Sequence, residues 1–206
     1  MRERIPFIDG DLDFWALYDS GKWEPETKAV LQRFLGPKSC FMDIGAWIGP
    51  VSLWAVELGA DVVAFEPDPV AYPQLVHNTA GLTISPLNYA VVSGSERRIM
   101  LSNPGKFGDS MSRISQYMGI AVWQITPGVA LAMRPKWELI KVDIEGGEIF
   151  LLPELAPLCA YNGIPLYVSW HEAWFEHEVP LEERKEWFKD FSHIEGNWSG
   201  TLLAIP

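Results

Sequence analysis

Apolar residues occur along this chain in short runs, some with the period of a strand and others with the period of a helix. The clearest order is a short apolar run at residues 41–44, apolar residues at helical spacing over 51–58, and a β-rich run at 62–65. Gly45 and Gly49 lie where the chain must leave the first run and open the helix. The pattern predicts one βαβ unit with a glycine-containing turn.

The rest of the chain alternates in the same way. Helices are predicted at residues 13–19, 23–35, 70–78, 148–155 and 182–191. Strands are predicted at residues 83–92, 97–101, 121–125, 137–143, 164–170, 193–195 and 201–205. Strand 97–101 is expected to form a hairpin-like excursion with the residues before it, and the last two strands are expected to form a hairpin. Strands that alternate with helices indicate an α/β fold with helices on both faces of the sheet.

The length of the chain and one irregular segment define its organisation. At 206 residues, the chain is expected to form a single domain, residues 1–206, with a substantial core. Residues 102–118 are rich in Gly, Ser and Asn and lack apolar periodicity, which predicts a long loop. Long loops in compact domains are usually functional or disordered, so this loop is a candidate for substrate contact.

Small residues in the turn of the βαβ unit suit a ligand that approaches the main chain closely. Gly45, Ala46 and Gly49 permit that approach and allow the helix to pack on the strand. Glu66 ends the second strand, about 20 residues beyond the turn, where an acidic side chain accepts hydrogen bonds from ribose hydroxyls. Asp43 would repel a dinucleotide pyrophosphate and attract the cationic sulfonium and ammonium groups of S-adenosylmethionine. The unit therefore favours S-adenosylmethionine over NAD.

Two sequence blocks carry a family resemblance. The first comprises DIGA at 43–46 with Gly49, AFEPDP at 64–69 and Asn78, and the second is LIKVDIEGGE at 139–148. Together they resemble the FkbM family of class I methyltransferases that use S-adenosylmethionine. The resemblance implies a single-domain Rossmann-like class I methyltransferase fold with a mostly parallel seven-stranded sheet and an antiparallel C-terminal strand. It also implies that residues 1–38 form a helical cap segment and that residues 102–118 border the acceptor pocket.

A second set of acidic residues follows the strand predicted at 137–143. Ligands of open α/β sheets bind outside the carboxyl ends of the strands, so Asp143 and Glu145 are expected close to Asp43. Their carboxylates can offset positive charge on the cofactor, orient its ammonium group or accept a proton. Near the end of the third strand, Asn88 either recognises the polar edge of adenine, with its neighbours on the adenine face, or lies in an ordinary strand-end turn. The predicted cofactor-binding residues are Asp43, Gly45, Ala46, Gly49, Glu66, Pro67, Asn88, Ala90 and Asp143.

His171 ends strand 164–170 at the same edge of the sheet, a position where FkbM-like chains often have a histidine. A hydroxyl group is a poor nucleophile at neutral pH, so its methylation needs a base. The unperturbed pKa of histidine, about 6.5, makes His171 the first candidate, whereas Asp143 would need burial to raise its pKa. The predicted catalytic residues are His171, Asp143 and Glu145. The predicted substrate-binding residues, all in the loop, are Ser110, Ser112 and Arg113.

Charge and composition narrow the range of partners. The net charge is −11, without the clusters of Lys and Arg that nucleic-acid binding requires, so no nucleic-acid partner is expected. Cys40 and Cys159 are isolated, and the N-terminus lacks the apolar core of a signal peptide, which predicts a cytoplasmic protein. No apolar run approaches the length of a membrane span. No spacing predicts a metal site, although carboxylates near His171 are suitable ligands for a divalent ion.

These observations predict methyl transfer from S-adenosylmethionine to a hydroxyl oxygen of a small molecule, such as a sugar or a secondary metabolite. The oxygen specificity comes from the resemblance, since the spacing of the residues is equally compatible with nitrogen. Three alternatives stay open. They are a methyltransferase acting on RNA or protein, an NAD-dependent oxidoreductase that would share the βαβ unit and Glu66, and a non-catalytic protein that binds an adenosyl ligand.

Overall fold

The computed structural model describes residues 3–9, 12–115 and 118–206. Its strands are β1 (Ile8–Asp9), β2 (Leu12–Asp13), β3 (Cys40–Ile44), β4 (Asp61–Phe65), β5 (Ile84–Leu87), β6 (Ala90–Val91), β7 (Arg98–Ser102), β8 (Arg113–Ser115), β9 (Ile120–Ile125), β10 (Leu139–Val142), β11 (Leu166–Ser169), β12 (His193–Gly196) and β13 (Thr201–Ile205). Its α-helices are α1 (Phe14–Asp19), α2 (Pro25–Phe34), α3 (Pro50–Glu57), α4 (Ala71–Asn78), α5 (Pro127–Leu131), α6 (Glu148–Tyr161) and α7 (Leu181–Trp187). A short 3₁₀ helix spans Glu172–Trp174.

Within the described part of the chain, seven strands form the central sheet in the order β12, β13, β11, β10, β3, β4 and β5. The five strands from β11 to β5 are parallel to one another, while β13 is antiparallel to β11 and to β12. β3 and β10 carry almost continuous apolar runs because both of their faces are covered. The predicted fold class is therefore confirmed, and its antiparallel part comprises β12 and β13.

Helices cover both faces of the central sheet and form a hydrophobic core on each. On one face, Leu152 of α6 belongs to the same core as Val142 of β10. On the other face, Leu31 of α2 belongs to the same core as Phe41 of β3. Successive side chains of a strand point to opposite faces, so each central strand contributes to both cores.

Three polar side chains form a row on the face that α1 to α4 cover. Asp43 shares this face with Phe41, and Lys141 shares it with Leu139, because side chains two positions apart point the same way. Asp43 is paired with Lys141 across β3 and β10, and Lys141 is paired with Tyr167 across β10 and β11. The three polar groups therefore lie side by side between the sheet and the N-terminal helices.

Aromatic side chains attach the N-terminal segment to this face. Phe7 and Phe14 each contact the ring of Trp47 edge-on, with ring centroids 4.8 Å apart in both pairs. Trp15 Nε1 donates a hydrogen bond to the carbonyl of Ile5 at 2.8 Å. These contacts place the segment before β3 against the turn that follows β3.

A second sheet, with strand order β6, β9, β7, β8, lies outside the central one and corrects three predictions. The single strand predicted at 83–92 is wrong, because β5 joins the central sheet while β6 pairs in parallel with β9. Strand 97–101 was predicted to pair with the residues before it, which is also wrong, since β7 pairs with the later strands β8 and β9. The loop predicted at 102–118 contains β8, where only Ile114 is buried, and so short a strand gives no detectable period. Residues 116 and 117 lie outside the described residues.

The helices depart from prediction mainly in length. α6 continues to Tyr161, past the predicted end at residue 155, although Pro153 and Pro157 lie within it. The buried side chains of Ala156 and Cys159 explain this extension, because packing on the core stabilises the added turns. α5 was not predicted, and α7 ends at Trp187 rather than at residue 191. None of the helices in the described ranges has the length and apolarity that crossing a membrane requires.

Candidate active site

A cavity of about 630 Å³ opens at the carboxyl edge of β3, β10 and β11. Its lining comes from the N-terminal segment, the loop before β8, the turns that follow the three strands, and the turn between β12 and β13. Six of the predicted site residues line this cavity: Gly45, Ala46, Ser110, Asp143, Glu145 and His171. This is the edge at which open α/β sheets bind ligands.

A narrower cavity of about 50 Å³ adjoins the first on the side of β4. Gly45, Trp47 and Glu145 line both cavities, whereas Glu66 and Ala90 line only the narrower one. The position of Glu66, at the end of the strand that follows the glycine turn, is the one from which an acid recognises a ribose. The narrower cavity therefore lies on the Glu66 side of the candidate site.

The carboxylate of Glu66 is fixed by two backbone donors. Trp47 N–H donates to Oε2 at 2.8 Å, and Asp68 N–H donates to Oε1 at 2.7 Å. Burial raises the pKa of Glu66 to about 8, against the effect of these two hydrogen bonds. Glu66 is thus held in one orientation, and its carboxyl group retains further hydrogen-bonding capacity for a ligand hydroxyl.

The two glycines of the turn allow close approaches to different parts of the chain. Gly45 has a φ of 84°, and a Cβ atom there would lie 1.8 Å from the carbonyl oxygen of Asp143, so only glycine permits this approach of β3 to β10. Gly49 has a φ of 99° and faces Leu75 of α4, where a Cβ atom would meet Cδ1 at 2.9 Å. Gly45 and Ala46 line the larger cavity, while Gly49 allows α3 and α4 to pack closely.

Asp43 lies in the core beneath the site rather than on the wall of either cavity. Its side chain is fully buried, and Ser52 Oγ donates to Oδ2 at 2.6 Å. Burial raises the pKa of Asp43 above its ordinary value, while Lys141 and Ser52 act in the opposite direction. Asp43 Oδ1 is buried without a hydrogen-bond partner among the described residues. Any electrostatic effect of Asp43 on a ligand must therefore act from below the cavity.

The residues predicted near adenine divide into two groups. Pro67 and Ala90 line the narrower cavity, together with Tyr89, whose side chain is 36% exposed. Asn88 Nδ2 instead donates a hydrogen bond to the backbone carbonyl of Glu66 at 2.8 Å. Asn88 therefore connects the turn after β5 to the end of β4.

Lys141 and Asp143 form a buried ion pair at the end of β10. Lys141 Nζ lies 2.7 Å from Asp143 Oδ2, and the lysine side chain is only 2% exposed. Although burial acts against the charge, the carboxylates of Asp143, Asp43 and Glu24 raise the pKa of Lys141. Lys141 and His171 in turn hold the pKa of Asp143 below its ordinary value, despite the opposing effect of burial. Both groups are therefore charged at neutral pH, and Asp143 is a weak base.

His171 is surrounded by three carboxylates. Its Nδ1 lies 3.1 Å from Glu148 Oε1, and its Nε2 lies 3.5 Å from Asp143 Oδ1 and 3.7 Å from Glu145 Oε1. Burial alone would lower the pKa of His171, but the hydrogen bond to Glu148 and the negative charges of all three carboxylates raise it to about 9. The pKa of His171 is thus raised above the unperturbed value of about 6.5, because Glu148, at the start of α6, lies directly beside the imidazole.

Glu145 has the properties of a proton acceptor at neutral pH. Burial raises its pKa to about 7; His171 lowers it, and the neighbouring carboxylates Asp143 and Glu148 raise it further. Its side chain lines both cavities. A carboxyl group whose pKa lies near the working pH is well suited to general base catalysis.

Backbone strain is concentrated around the larger cavity. In the described ranges, non-glycine residues with positive φ are Glu24 at 39°, Lys38 at 69°, Trp47 at 49° and Glu145 at 52°. All of these except Lys38 line the cavity. Such conformations cost about 1–3 kcal/mol each and occur preferentially at functional sites, where the surrounding structure holds them in place.

The site already contains two positive side chains. One ligand atom from each of Asp143, Glu145 and His171 lies within 4.8 Å of the others, which is close enough for a single metal ion. Metal binding requires a neutral imidazole, but the pKa of His171 is raised to about 9, and the ammonium of Lys141 occupies Asp143. A metal ion would have to displace the proton of His171 and the ammonium of Lys141 from these ligand atoms, so we assign no metal to this cluster.

The loop before β8 is anchored to Asp68 and to Trp47. Asp68 Oδ2 accepts hydrogen bonds from Gly108 N–H at 2.9 Å and from Ser112 Oγ, and Trp47 Nε1 donates to the carbonyl of Gly108 at 3.0 Å. Ser110, one of the predicted substrate-binding residues, lines both cavities. Ser112 lines only the narrower cavity, as well as anchoring the loop.

Arg113, the third predicted substrate-binding residue, lines neither cavity. Its guanidinium lies over the ring of Trp174, with Cζ 4.9 Å from the ring centroid. A cation–π contact of this kind attaches β8 to the 3₁₀ helix that follows His171.

Sequence reasoning missed several residues of the site. Glu24, Lys141 and Tyr167 line the larger cavity, Trp47 lines both, and Glu148 contacts His171. Lys141 had a detectable signal, because a lysine within an apolar parallel strand is buried and must have a charged partner. The position of Glu24 follows from the docking of the N-terminal segment and has no local sequence signal.

The fold is the Rossmann-like α/β fold found in several S-adenosylmethionine-dependent methyltransferases. A TehB-like S-adenosylmethionine-dependent methyltransferase from Corynebacterium glutamicum is similar with a TM-score of 0.56 and 8% identity, over 93% of this chain and 92% of that chain. An FkbM methyltransferase from Methylobacillus flagellatus is similar with a TM-score of 0.53 and 13% identity, over 96% of this chain and 63% of that chain. A putative rRNA-methylase from Clostridium thermocellum is similar with a TM-score of 0.52 and 8% identity, over 88% of this chain and 93% of that chain.

No protein-family model and no curated protein sequence matches the chain. At identities of 8% to 13%, the similarity to these enzymes establishes the common fold. The chain spans about two thirds of the FkbM methyltransferase and nearly all of the other two enzymes.

Proposed function

We propose that this protein is an S-adenosylmethionine-dependent methyltransferase, related to the FkbM enzymes, that methylates a hydroxyl oxygen of a small molecule. The observation that carries the proposal is the convergence of Glu145, Asp143 and His171 on a cavity that adjoins the Glu66 side of the glycine turn. The fold common to this chain and several S-adenosylmethionine-dependent methyltransferases supports the same cofactor.

Residues of both cavities fit the parts of S-adenosylmethionine. The cofactor supplies a methyl group on a positively charged sulfur. Glu66 would accept hydrogen bonds from the ribose hydroxyls, and Gly45 would allow the ligand to lie against the main chain. Pro67, Tyr89 and Ala90 supply apolar surface on the nucleoside side. The negative charge of Asp143 would stabilise a cationic ligand.

Glu145 is the proposed general base, in place of His171. With a pKa raised to about 7, Glu145 is partly ionised at neutral pH, whereas His171, with a pKa near 9, is already protonated. Glu145 would accept the proton of the acceptor hydroxyl, and the cofactor, when bound, would supply the methyl group through cleavage of its carbon–sulfur bond. The products are a methyl ether and S-adenosylhomocysteine. The imidazolium of His171 favours the ionised form of Glu145.

A small acceptor is supported by the walls of the cavity and by the charge of the chain. Aromatic residues of the N-terminal segment, including Phe7 and Trp23, lie on one side of the cavity, and the loop that contains Ser110 lies on another. A net charge of −11 opposes binding to the phosphate backbone of RNA. The neighbour named as a putative rRNA-methylase has the same fold, so RNA is included as a test substrate.

The cofactor assignment is tested by calorimetric titration of the protein with S-adenosylmethionine, S-adenosylhomocysteine and NAD. We expect the two adenosyl ligands to bind and NAD not to bind. Replacement of Glu66 by Ala should weaken both adenosyl ligands. Binding of NAD alone would assign the site to an oxidoreductase.

Methyl transfer is then measured with S-adenosylmethionine labelled in its methyl group, against sugars, phenols, total RNA and protein extract. Label in a small hydroxyl compound supports the proposal, and label only in RNA or protein contradicts the proposed acceptor. Binding without transfer to any of these acceptors would indicate a non-catalytic adenosyl-binding protein.

A further inference from the structure

Two side chains on the wall of the larger cavity carry opposite charges without contacting each other. Glu24 lies at the start of α2 and Lys141 lies on β10, and both line the cavity. Thr27 connects Glu24 to the hydroxyl of Tyr167, and Tyr167 is paired with Lys141 across β10 and β11, so the two groups lie near each other. In the described ranges, however, the ion pair of Lys141 is with Asp143 and not with Glu24. A space between a carboxylate and an ammonium group is complementary to the two charges of an α-amino acid.

The ammonium of Lys141 has donors to spare. A lysine ammonium has three N–H donors, and among the residues that the structure describes it donates one hydrogen bond, to Asp143 Oδ2 at 2.7 Å. The side chain is 2% exposed, so bulk water does not surround the other two donors. Buried donors without acceptors are costly, and a ligand carboxylate in the cavity would satisfy them.

Glu24 is held by its surroundings with one oxygen available. Its φ of 39° and the following Pro25 restrict the backbone. Thr27 Oγ1 donates to Glu24 Oε2 at 2.8 Å and lies 3.2 Å from the hydroxyl of Tyr167, which connects Glu24 to the sheet. Glu24 Oε1 accepts no hydrogen bond from the described residues, so it can accept one from a ligand.

We propose that Glu24 and Lys141 bind the amino-acid end of S-adenosylmethionine, with Lys141 receiving its carboxylate and Glu24 its ammonium group. This inference rests on the proposed function, because it places an adenosyl ligand in the adjoining cavity. It adds a basis for selectivity: adenosyl ligands with an intact amino-acid end are preferred over those that lack one.

The test compares S-adenosylhomocysteine with 5′-methylthioadenosine, which has the same nucleoside and sulfur but no amino-acid end. Binding of both is measured by calorimetry to the wild-type protein and to the Glu24→Gln variant. We expect this substitution to weaken S-adenosylhomocysteine about 10- to 100-fold and to leave 5′-methylthioadenosine within about twofold. The control is Glu183→Gln, which removes the same charge from the exposed surface of α7 and should change neither affinity.

Because Lys141 is buried, its role is tested with the wild-type protein and a ligand analogue. An analogue of S-adenosylhomocysteine that lacks only the carboxylate should bind about 10- to 100-fold more weakly than the complete ligand. A Lys141→Met variant that folds should bind the complete ligand and the analogue with equal affinity, because the partner of the carboxylate is already absent. Equal binding of the analogue and the complete ligand to the wild type would exclude the role of Lys141.

The remaining outcomes separate this inference from the proposed function. If Glu24→Gln weakens both ligands equally, Glu24 acts through the packing of α2, and its role in ammonium binding is wrong. If the wild type binds S-adenosylhomocysteine and the Glu24→Gln variant binds it equally well, Glu24 is again excluded while the proposed function stands. If the wild type binds neither adenosyl ligand, the proposed function itself fails.

Discussion

Replacement of Glu145 by Gln tests the base directly, since it removes the carboxylate and retains the shape of the side chain. General base catalysis contributes typically about 10²- to 10⁴-fold, so we expect kcat to fall by that factor. S-adenosylhomocysteine should still bind, because Glu66 and the glycine turn are unchanged. The measurement is turnover with saturating cofactor, using the acceptor that the labelling experiment identifies. Full turnover by the Glu145→Gln variant would show that Glu145 is not the general base.

The charge of His171 should be visible in the pH profile of catalysis. Glu145 must lose a proton with a pKa near 7 before it can act as the base, so kcat/KM should rise through an acid limb near pH 7, while His171 keeps its positive charge up to about pH 9. In a His171→Gln variant the positive charge is absent, so the pKa of Glu145 and the acid limb should both move to higher pH. An acid limb that stays at the same pH would show that His171 does not affect the base.

Residue positions could be predicted from sequence more readily than residue states. Asp143, Glu145 and His171 were located because the carboxyl ends of parallel strands meet at one edge of a sheet. The protonation of His171 was not predictable, because it depends on Glu148 at 3.1 Å, a neighbour brought there by the turn into α6. Tertiary contacts likewise decide that Asp43 is buried and that Asn88 binds the carbonyl of Glu66.

At the level of elements, the loop before β8 is held beside the narrower cavity by two hydrogen bonds to Asp68. Ser112→Ala removes one bond to a carboxylate, worth about 1.5–3 kcal/mol, and leaves the contacts of Asp68 with α4 intact. We expect faster amide hydrogen exchange in residues 105–111 and unchanged exchange in α4. An Asp68→Asn variant is the comparison, since it should also affect the start of α4. Unchanged exchange in the loop of Ser112→Ala would mean that Trp47 and Gly108 are sufficient to hold it.

The predictability of an element depended on its length and burial. β3, α3 and β4 were located closely because each carries a continuous periodic pattern that the core enforces. β6 and β8, with two and three residues, follow from pairing with β9 and β7, which are distant in sequence. The extension of α6 through Pro153 and Pro157 likewise depends on packing against the sheet.

At the scale of the whole molecule, several buried groups with raised pKa values should make the protein less stable as the pH rises through neutrality. The pKa values of Glu145, Glu66 and His171 are raised to about 7, 8 and 9, so the folded protein binds more protons than the unfolded chain over this range. The free energy of unfolding should therefore fall as the pH rises from about 5 to about 9. At lower pH the trend reverses, because the pKa of Asp143 is held below its ordinary value and its protonation removes stability.

Maximum stability is thus expected on the acidic side of neutrality, as measured by urea unfolding between pH 4 and pH 9. The net charge of −11 also favours lower pH, since protonation reduces repulsion among the acidic groups. Glu145→Gln separates the two causes, because it changes the total charge by one unit but removes a buried group that titrates near pH 7. In that variant the decline between pH 5 and pH 7 should be shallower than in the wild type. An equally steep decline would assign the pH dependence to surface charge, and the raised pKa of Glu145 would then be wrong.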